Sequence, residues 1–460
     1  MKSDSPAPDN KTVVLIVSSV AAFLAPFMSS SVNIALPSMG KEFQVTAVVL
    51  GWVATSYLLS MAICLVPFGK IADIRGRKKI FGWGSLLYAL TSFMSALAPT
   101  SMILLISRVL GGISGAMIFS TGVAILTSAY PQSQRGKVLG INVSSTYLGL
   151  SLGPVLGGFM TQHLGWRSIF WVNGLLGLLL AILVVWKLRG EWAEAKEESF
   201  DAVGSLILGL TLVAVMFGLS RLPEISGGAL IFAGVIGLIA FIRWEMRTAN
   251  PVLDLNLFRK NAVFAFSNLA ALINYSATFA VSFLLSLYLQ YIKGLSPQNA
   301  GLILIAQPAV MALFSPAAGR LSDRIEPRLL ASAGMAVSAL GLFLLAWLGQ
   351  TTALGFVGAS LVVLGFGFAL FSSPNTNAVM SSVEKRFYGV ASAMLSTMRL
   401  TGQMLSMGAA MLIFALYLGK AQITPALHPQ FLGAVKTAFF FFAALCVAGV
   451  FASHKRGKLR

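Results

Sequence analysis

Residues 69–78 read Gly-Lys-Ile-Ala-Asp-Ile-Arg-Gly-Arg-Lys, and residues 319–328 read Gly-Arg-Leu-Ser-Asp-Arg-Ile-Glu-Pro-Arg. Both stretches begin with glycine, have aspartate at the fifth position and carry several basic side chains. They are offset by 250 residues, and each follows a long apolar run. Because a similar segment at a fixed offset indicates an internal repeat, the sequence predicts two homologous halves.

The composition predicts that these halves lie in a membrane. Hydrophobic residues make up 57% of the 460 residues and charged residues 10%, and the mean hydropathy is +0.83. A soluble domain has about 25% charged residues, so a soluble fold is excluded. The net charge of +18 is also compatible with nucleic-acid binding, but the cations cluster in short segments between apolar runs. That pattern is typical of membrane topology, and we expect no nucleic-acid partner.

Fourteen windows approach the length of about 20 mostly apolar residues that a bilayer-crossing helix needs. They lie near residues 13–37, 47–67, 80–99, 102–125, 138–161, 168–186, 202–219, 227–242, 262–289, 298–318, 329–348, 352–378, 388–416 and 437–453. Runs this long suit helices better than barrel strands, which need only about ten residues. We therefore expect an all-α polytopic membrane protein with an N-terminal six-helix bundle (1–190), two inserted helices with a linker (191–260) and a C-terminal six-helix bundle (261–460).

The basic residues predict the orientation of the chain in the membrane. Of the 33 lysines and arginines, 25 lie at the termini and in every second loop, six lie in the opposite loops, and Arg108 and Arg399 lie inside apolar runs. Basic loops stay in the cytoplasm. We therefore expect both termini to be cytoplasmic, in the plasma membrane of a prokaryote, and an even number of spans.

The stretch 69–78 resembles the signature loop between spans 2 and 3 of the major facilitator superfamily. The resemblance implies that the loop and its second copy form a conformational latch, which holds the two halves together on the cytoplasmic side when the cavity faces outward. The second copy has Glu326 in place of the second glycine, so we expect a weaker latch there. The alternative is that both loops only anchor helices through their cations. The latch residues are Gly69, Asp73, Gly76, Arg77, Gly319, Asp323 and Arg324.

Two further motifs resemble the same superfamily. Arg108, with small residues after it, is similar to the arginine motif of span 4; a buried charge favours a functional role, such as coupling, over simple bonding to backbone carbonyls. The glycine-rich segment of span 5 resembles a motif of the antiporter branches, and this resemblance implies export rather than uptake. Its residues are Gly149, Gly153, Pro154, Gly157 and Gly158.

The two inserted spans narrow the resemblance to the fourteen-span drug/proton antiporters of the EmrB/QacA type. The segments 33–37 and 251–258 also match this group. The group usually has an acidic residue in span 1 where this chain has Met28. None of the 15 acidic residues lies inside an apolar run, so recognition of cations by an intramembrane carboxylate is not carried over from the resemblance.

A set of neutral polar residues inside the spans is available to line a central cavity. The candidates are Ser30, Asn33, Tyr57, Asn142, Asn274, Tyr275, Gln307, Asn375, Asn377 and Gln403. Pro374 predicts a broken helix beside Asn375. With Arg108 and Arg399 as the only charges in the spans, we expect a positive or neutral cavity that prefers anionic, zwitterionic or neutral amphiphiles.

No enzyme motif is present: there is no P-loop, no HExxH and no nucleophile elbow. Cys64 and Cys446 both lie in apolar runs, so we expect no metal and no cofactor. The sequence therefore predicts a monomeric secondary efflux transporter of small amphiphilic compounds that works by alternating access in the lipid bilayer and is coupled to protons. One alternative is a facilitator or anion-coupled exporter of anionic or neutral metabolites. Another is a receptor or scaffold that does not transport.

Overall fold

The computed structural model of the chain describes residues 8–193, 200–248, 251, 258–259, 261–384, 388–419 and 421–457. In these residues the regular secondary structure is helical, with fourteen long helices. The first six, α1 to α6, span Pro8–Phe43, Ala47–Arg75, Arg77–Ala96, Ser101–Ala129, Gln132–His163 and Arg167–Trp186. Two more, α7 and α8, span Ala202–Arg221 and Ile225–Glu245.

The last six helices, α9 to α14, span Ala262–Ile292, Pro297–Ser322, Pro327–Leu345, Leu354–Ser381, Tyr388–Leu418 and His428–Lys455. Two of them are interrupted. Helix α9 consists of Ala262–Thr278, Val281–Leu287 and a π-helical turn at Tyr288–Ile292. Helix α10 consists of Pro297–Leu304 and Ala306–Ser322. We call α1–α6 the N half and α9–α14 the C half, the face where α1 begins the basal face, and the opposite face the distal face.

Polar caps and glycines set the ends of the helices. The side chains of Thr46, Thr100 and Asn261 accept hydrogen bonds from backbone N–H groups in the first turns of α2, α4 and α9. Such caps satisfy donors that the helix itself leaves unpaired. At the turn between α2 and α3, Gly76 has a φ of 114°. A side chain would strain this conformation, which is why the tight turn of the signature loop requires glycine.

Thirteen of the described helices are long and apolar enough to cross a membrane. The other long helix, α3, is less apolar because hydroxyl side chains recur along it. Ser85, Ser92 and Ser95 are buried, and each donates a hydrogen bond to a backbone carbonyl one turn earlier. Since these hydroxyls are satisfied within the helix, α3 packs against α4 and α6 without leaving donors exposed to lipid.

The two halves pack their helices in the same way. In the N half α1 contacts α5, α2 contacts α4, and α3 contacts α4 and α6. In the C half α9 contacts α13, α10 contacts α12, and α11 contacts α12 and α14. Each helix therefore has the same neighbours as its counterpart in the other half. The predicted fold class, two six-helix bundles with two inserted helices, is confirmed.

The inserted helices lie beside the two bundles. Helix α7 packs against α8 and also contacts α2 of the N half and α13 of the C half. The rings of Trp52 in α2 and Phe217 in α7 have centroids 4.7 Å apart. On the other side, Leu219 and Met216 of α7 lie against Gly408 of α13. One inserted helix therefore bridges both halves.

Contacts between the halves concentrate at the distal face. Helix α1 meets α9 through the segment Val281–Leu287, and α5 meets α10 mainly through Pro297–Leu304. Ser286 donates a hydrogen bond of 2.7 Å to the carbonyl of Asn33, and Gln422 donates one of 2.6 Å to the carbonyl of Gln44. Asn33 lies in the distal third of α1, and Gln44 directly follows the end of that helix. The halves are therefore joined at the distal face.

Towards the basal face the two halves part. Val143 and Ser144 of α5 are exposed, and a Cβ added at Gly140 would have no atom within 4 Å. The basal segment of α9, Ala262–Thr278, packs within its own half, against α13, α14 and α12. A cleft between the halves therefore opens on the basal face.

The structure corrects one expectation about helix breaks. Pro374 lies inside α12, which is continuous over Leu354–Ser381, so the predicted break beside Asn375 is absent from this described helix. The break occurs instead in α9, at residues 279–280. There the N–H of Ala280 donates to the hydroxyl of Ser406 in α13, at 3.0 Å. A side chain from a neighbouring helix thus satisfies the donor that the break releases.

The α5–α10 contact generates a prediction. A Cβ added at Gly301 would collide with the carbonyl oxygen of Pro154. Gly301→Ala should therefore push the distal ends of α5 and α10 apart and destabilise the distal closure by about 1–3 kcal/mol. Spin labels at the distal ends of these helices should report a longer distance in the variant.

The matched control is Gly355→Ala, because a Cβ at Gly355 has no atom within 4 Å. This variant should leave the label distance unchanged. An unchanged distance in Gly301→Ala as well would show that the contact does not hold the distal face closed.

Candidate functional site

The signature loop lies at the basal end of the N half. The Nε of Arg77 donates to Asp73 at 2.7 Å, and the Nη1 of Arg77 donates to the hydroxyl of Ser128 at the end of α4, also at 2.7 Å. The carboxylate of Glu191, in the segment after α6, accepts from the N–H of Lys78 at 2.8 Å. The loop is therefore tied to α4 and to the linker that follows the N half.

The second copy of the loop uses different contacts. Asn377 of α12 donates to Asp323 at 3.3 Å and to the hydroxyl of Ser322 at 2.8 Å. Pro327 begins α11 in place of Arg77, the arginine that pairs with the aspartate in the first copy. The contacts described for both aspartates lie within one half. These contacts within one half are consistent with the separation of the two halves at the basal face.

The glycine-rich segment of α5 has two contact faces. Gly149, Gly153 and Gly157 lie against α1, where added Cβ atoms would collide with Phe23, Ser30 and Ser31. Gly158 faces the C half instead: a Cβ there would lie 2.5 Å from the carbonyl oxygen of Pro297. The carbonyl of Pro154 faces Gly301 from the same side. This segment therefore packs the N half internally and also joins it to the C half.

Arg108 lies inside the N half rather than in the cleft. Its side chain is 3% exposed, its Nε donates to the carbonyl of Val53 at 3.1 Å, and its guanidinium carbon is 4.5 Å from the ring centroid of Tyr57. It borders a cavity between α1, α2, α3 and α4 with about 10 Å³ of free volume. That is room for about one water molecule. This placement differs from the expectation that both buried arginines face the cavity.

Arg399 lies in a different environment. It is half-buried on α13, where its Nη2 donates to the hydroxyl of Thr376 on α12 at 2.6 Å. Its guanidinium carbon is 5.7 Å from the ring centroid of Tyr275 on α9. Tyr275 packs edge-to-face against Phe368 with centroids 5.3 Å apart. Tyr147 of α5, in the other half, is close enough to Tyr275 to interact with it electrostatically.

Several predicted cavity residues form contacts within one half instead. Ser30 donates to the carbonyl of Pro26 at 2.7 Å, and Asn142 donates to the carbonyl of Ser18 at 2.9 Å. Tyr57 is 2% exposed beneath Arg108. These three side chains stabilise contacts inside the N half in this conformation.

In the C half the two asparagines beside Pro374 are also engaged. Asn375 donates to the carbonyl of Ser267 at 3.1 Å and accepts from Arg456 at 2.9 Å. Asn377 lies at the basal end with Asp323. Both amides therefore connect helices of the C half rather than facing the cleft.

Four other candidates are placed as follows. Asn33 is buried where α1 meets α9, and Gln307 is buried where α10 passes α12. Asn274 is fully buried, and neither polar atom of its side chain has a hydrogen-bond partner among the described residues. Gln403 is half-buried on α13, one turn beyond Arg399.

Sequence reasoning missed two buried charges. Arg456, counted as a cytoplasmic cation, is 1% exposed and donates to Asn375, to Ser267 and to the carbonyl of Pro327. Burial lowers the pKa of Arg456 to about 10, so the group stays charged at neutral pH. Glu245, the last residue of α8, is 3% exposed. Both lie at helix ends, where hydropathy predicts exposure.

The described residues contain no group of three or more histidine, cysteine, aspartate or glutamate side chains that could hold a metal ion. The structure brings Arg399, Tyr275 and Tyr147 together between the halves, and we call these three side chains the polar cluster. Such groups bind by hydrogen bonding, charge and aromatic contact. The fold and this cleft define a multi-pass transporter built from two bundles.

A family model described as the Major Facilitator Superfamily matches residues 18–407 and 267–455. Since the first match covers most of the chain, the protein belongs to the Major Facilitator Superfamily. The segment 251–258, which also matched the narrower group, lies partly outside the described residues.

Two relatives cover most of the chain. The riboflavin transporter RibZ of Clostridioides difficile is 29% identical over 392 residues, which are 85% of this chain and 85% of RibZ. The multidrug resistance protein Stp of Mycobacterium tuberculosis is 30% identical over 397 residues, 85% of this chain and 73% of Stp. The first name gives riboflavin as the substrate, and the second gives resistance to multiple drugs.

A solved structure shares the fold. The crystal structure of a bacterial homologue of the human lysosomal transporter Spinster, in an inward-facing and occupied conformation, superposes with a TM-score of 0.73 and 14% identity. The match covers 98% of this chain and 97% of that chain. The chain therefore shares its fold with this bacterial transporter homologue.

The signature loop generates a prediction. Asp73→Asn removes the charge that holds Arg77 at 2.7 Å, so transport should fall by about tenfold, while the amount of protein in the membrane stays the same. Transport is measured in proteoliposomes, and insertion from the yield in the membrane fraction.

Asp323→Asn serves as the comparison, because the second copy of the loop has Glu326 in place of the second glycine and Pro327 in place of Arg77. We expect a smaller effect there. Wild-type turnover in Asp73→Asn would remove the latch from the mechanism.

Proposed function

We propose that this protein is a secondary active efflux transporter of small amphiphilic compounds, of the fourteen-span drug/proton antiporter type. The observation that supports this most strongly is the arrangement of the halves, which are joined at the distal face and part towards the basal face, with the polar cluster between them. Alternating access requires a cleft of this kind. The similarity to a multidrug resistance protein and the glycine-rich segment of α5 favour export.

The orientation proposed from the sequence assigns the basal face to the cytoplasm. The sequence predicts that the 25 lysines and arginines of the termini and alternate loops lie on that side. The cleft then opens to the cytoplasm, which is the inward-facing state of an exporter. Substrate would enter from the cytoplasm or the inner leaflet, and the distal contacts would part to release it.

The domain boundaries belong to this proposal. The bundles at 1–190 and 261–460 would rock against each other, with the inserted pair of 191–260 bridging them through α7. Closing the basal face would bring the two signature loops together. The latch formed by Asp73 and its neighbours would then hold the outward-facing state.

Proton coupling requires carboxylates that titrate during the cycle. The described acidic residues lie near the ends of the spans. The carboxylates that change surroundings during rocking are Asp73 and Asp323, since they lie where the basal face closes.

The alternative of a facilitator or anion-coupled exporter is supported by one observation. Met28 is buried inside the N half where the resembled group has an acidic residue. Without that carboxylate, transport of an anionic or neutral metabolite need not carry a proton. A receptor or scaffold that does not transport would keep the fold and lack flux.

Flux in proteoliposomes separates these possibilities. In vesicles with the basal face outside, an antiporter moves substrate inward as protons leave, so an acidic lumen should drive accumulation. We expect accumulation of at least one probe from a set of cationic, neutral and anionic dyes, and its loss when nigericin removes the pH gradient. Empty liposomes give the background.

Accumulation that ignores the pH gradient would favour the facilitator or anion-coupled exporter. Ligand stabilisation of the purified protein without flux of any probe would favour a receptor.

A further inference from the structure

We infer that Arg399 and Tyr275 form an anion-recognition subsite in the cleft, which selects aromatic amphiphiles that carry a carboxylate, sulfonate or phosphate. This inference rests on the proposed transport function, because it concerns the same cleft. It assigns the charge selectivity to Arg399 alone and removes Arg108 from substrate contact.

Among the described residues, no carboxylate pairs with the Arg399 guanidinium. Its described contacts are with a neutral hydroxyl, on Thr376, and a neutral ring, on Tyr275. Its Nε is buried and has no hydrogen-bond partner among the described residues. A guanidinium has five N–H donors in a planar fork that matches a carboxylate or phosphate. An anion would satisfy donors that the protein leaves unused.

The described carboxylates of the C half lie away from Arg399. Asp323, Glu326 and Glu384 are at the basal ends of α10, α11 and α12, whereas Arg399 lies more than two turns into α13. A positive charge in a partly desolvated site without a compensating carboxylate attracts anions strongly, because the local dielectric is low. The basal cations extend the same attraction to the mouth of the cleft.

Tyr275 provides the aromatic part of the subsite. Its ring is fixed by Phe368, and its hydroxyl interacts with Ser372. Helix α13 comes close behind it, because a Cβ added at Gly402 would lie 2.9 Å from the Cβ of Tyr275. The Arg399 guanidinium lies over this ring, 5.7 Å from its centroid, so the two groups are held together in one place. An aromatic ligand would stack on the tyrosine while its anionic group meets the arginine.

The other half contributes to the same place. Tyr147 of α5 lies across the cleft within electrostatic range of Tyr275. A ligand between the two tyrosines would contact both halves. Its binding would therefore change with the width of the cleft, as a substrate of a rocking transporter requires.

Arg108 provides the internal control. It is enclosed by α1, α2, α3 and α4, with Tyr57 on its guanidinium and room for about one water beside it. An amphiphile cannot reach it without separating those helices. Its replacement should therefore affect the stability of the N half and the binding of all ligands alike.

The test compares two fluorescent probes with one scaffold and different charge. Anilinonaphthalenesulfonate is anionic, and N-phenylnaphthylamine is its neutral counterpart without the sulfonate. Both are titrated into the full chain in phosphatidylcholine nanodiscs, and empty nanodiscs give the background. Arg399→Gln should weaken binding of the sulfonate by about tenfold, because a charge-assisted contact is lost. Binding of the neutral probe should change by less than about twofold.

Three further variants complete the design. Arg399→Lys keeps the charge and should keep part of the preference for the sulfonate. This variant shows whether weaker binding in Arg399→Gln comes from the lost charge or from disturbed folding. Arg221→Gln removes one exposed cation at the distal end of α7 and should change neither probe. Arg108→Gln should change both probes by the same factor.

Equal losses of both probes in Arg399→Gln, or no loss of either, would overturn the inference. Binding at equilibrium does not require flux. Selective binding of the sulfonate without transport would therefore refute the proposed function and support the subsite. Transport together with equal effects on both probes would support the proposed function and refute the subsite.

Discussion

The close approach of α5 and α10 is the contact on which the conformation of the whole molecule depends. Pro154 cannot donate a backbone hydrogen bond, and its carbonyl faces Gly301, where any side chain would collide with it. Gly158 meets the backbone of Pro297 in the same seam. Two backbones can approach this closely only through glycine. This seam closes the distal face. The positions of the cleft, the polar cluster and the signature loops therefore depend on it.

Most of the fold was predictable from the sequence, because lipid imposes helices of a set length on apolar segments. The 250-residue repeat predicted two halves with the same packing, and the helix contacts confirm that. The errors arose where hydropathy carries no information. Pro374 does not break α12, since proline is tolerated in membrane helices when neighbours satisfy the freed groups. Arg456 is buried because its side chain bonds to residues of α9, α11 and α12, and the sequence of a basic C-terminal segment gives no sign of that.

The candidate site was less predictable, since polar residues inside spans serve packing as readily as binding. Asn142 and Asn375 face neighbouring helices of their own halves, and spacing along one helix does not reveal which neighbour lies there. Arg108 and Arg399 look alike as isolated charges in apolar runs. Their surroundings differ because Arg108 faces the interior of its own half and Arg399 lies beside a ring that is near the other half.

The position of α7 has a consequence for how molecules reach the cleft from the bilayer. Two seams run along the sides of the molecule, one between α5 and α10 and one between α2 and α13. Helix α7 contacts both α2 and α13, with Met216 fully buried against Gly408, and so covers the second seam. The two lateral entrances are therefore unequal. At the α2–α13 seam, the apolar side chains of α7 lie between the lipid and the interior. At the α5–α10 seam, only the glycine-rich edge of α5 separates a compound in the lipid from the interior.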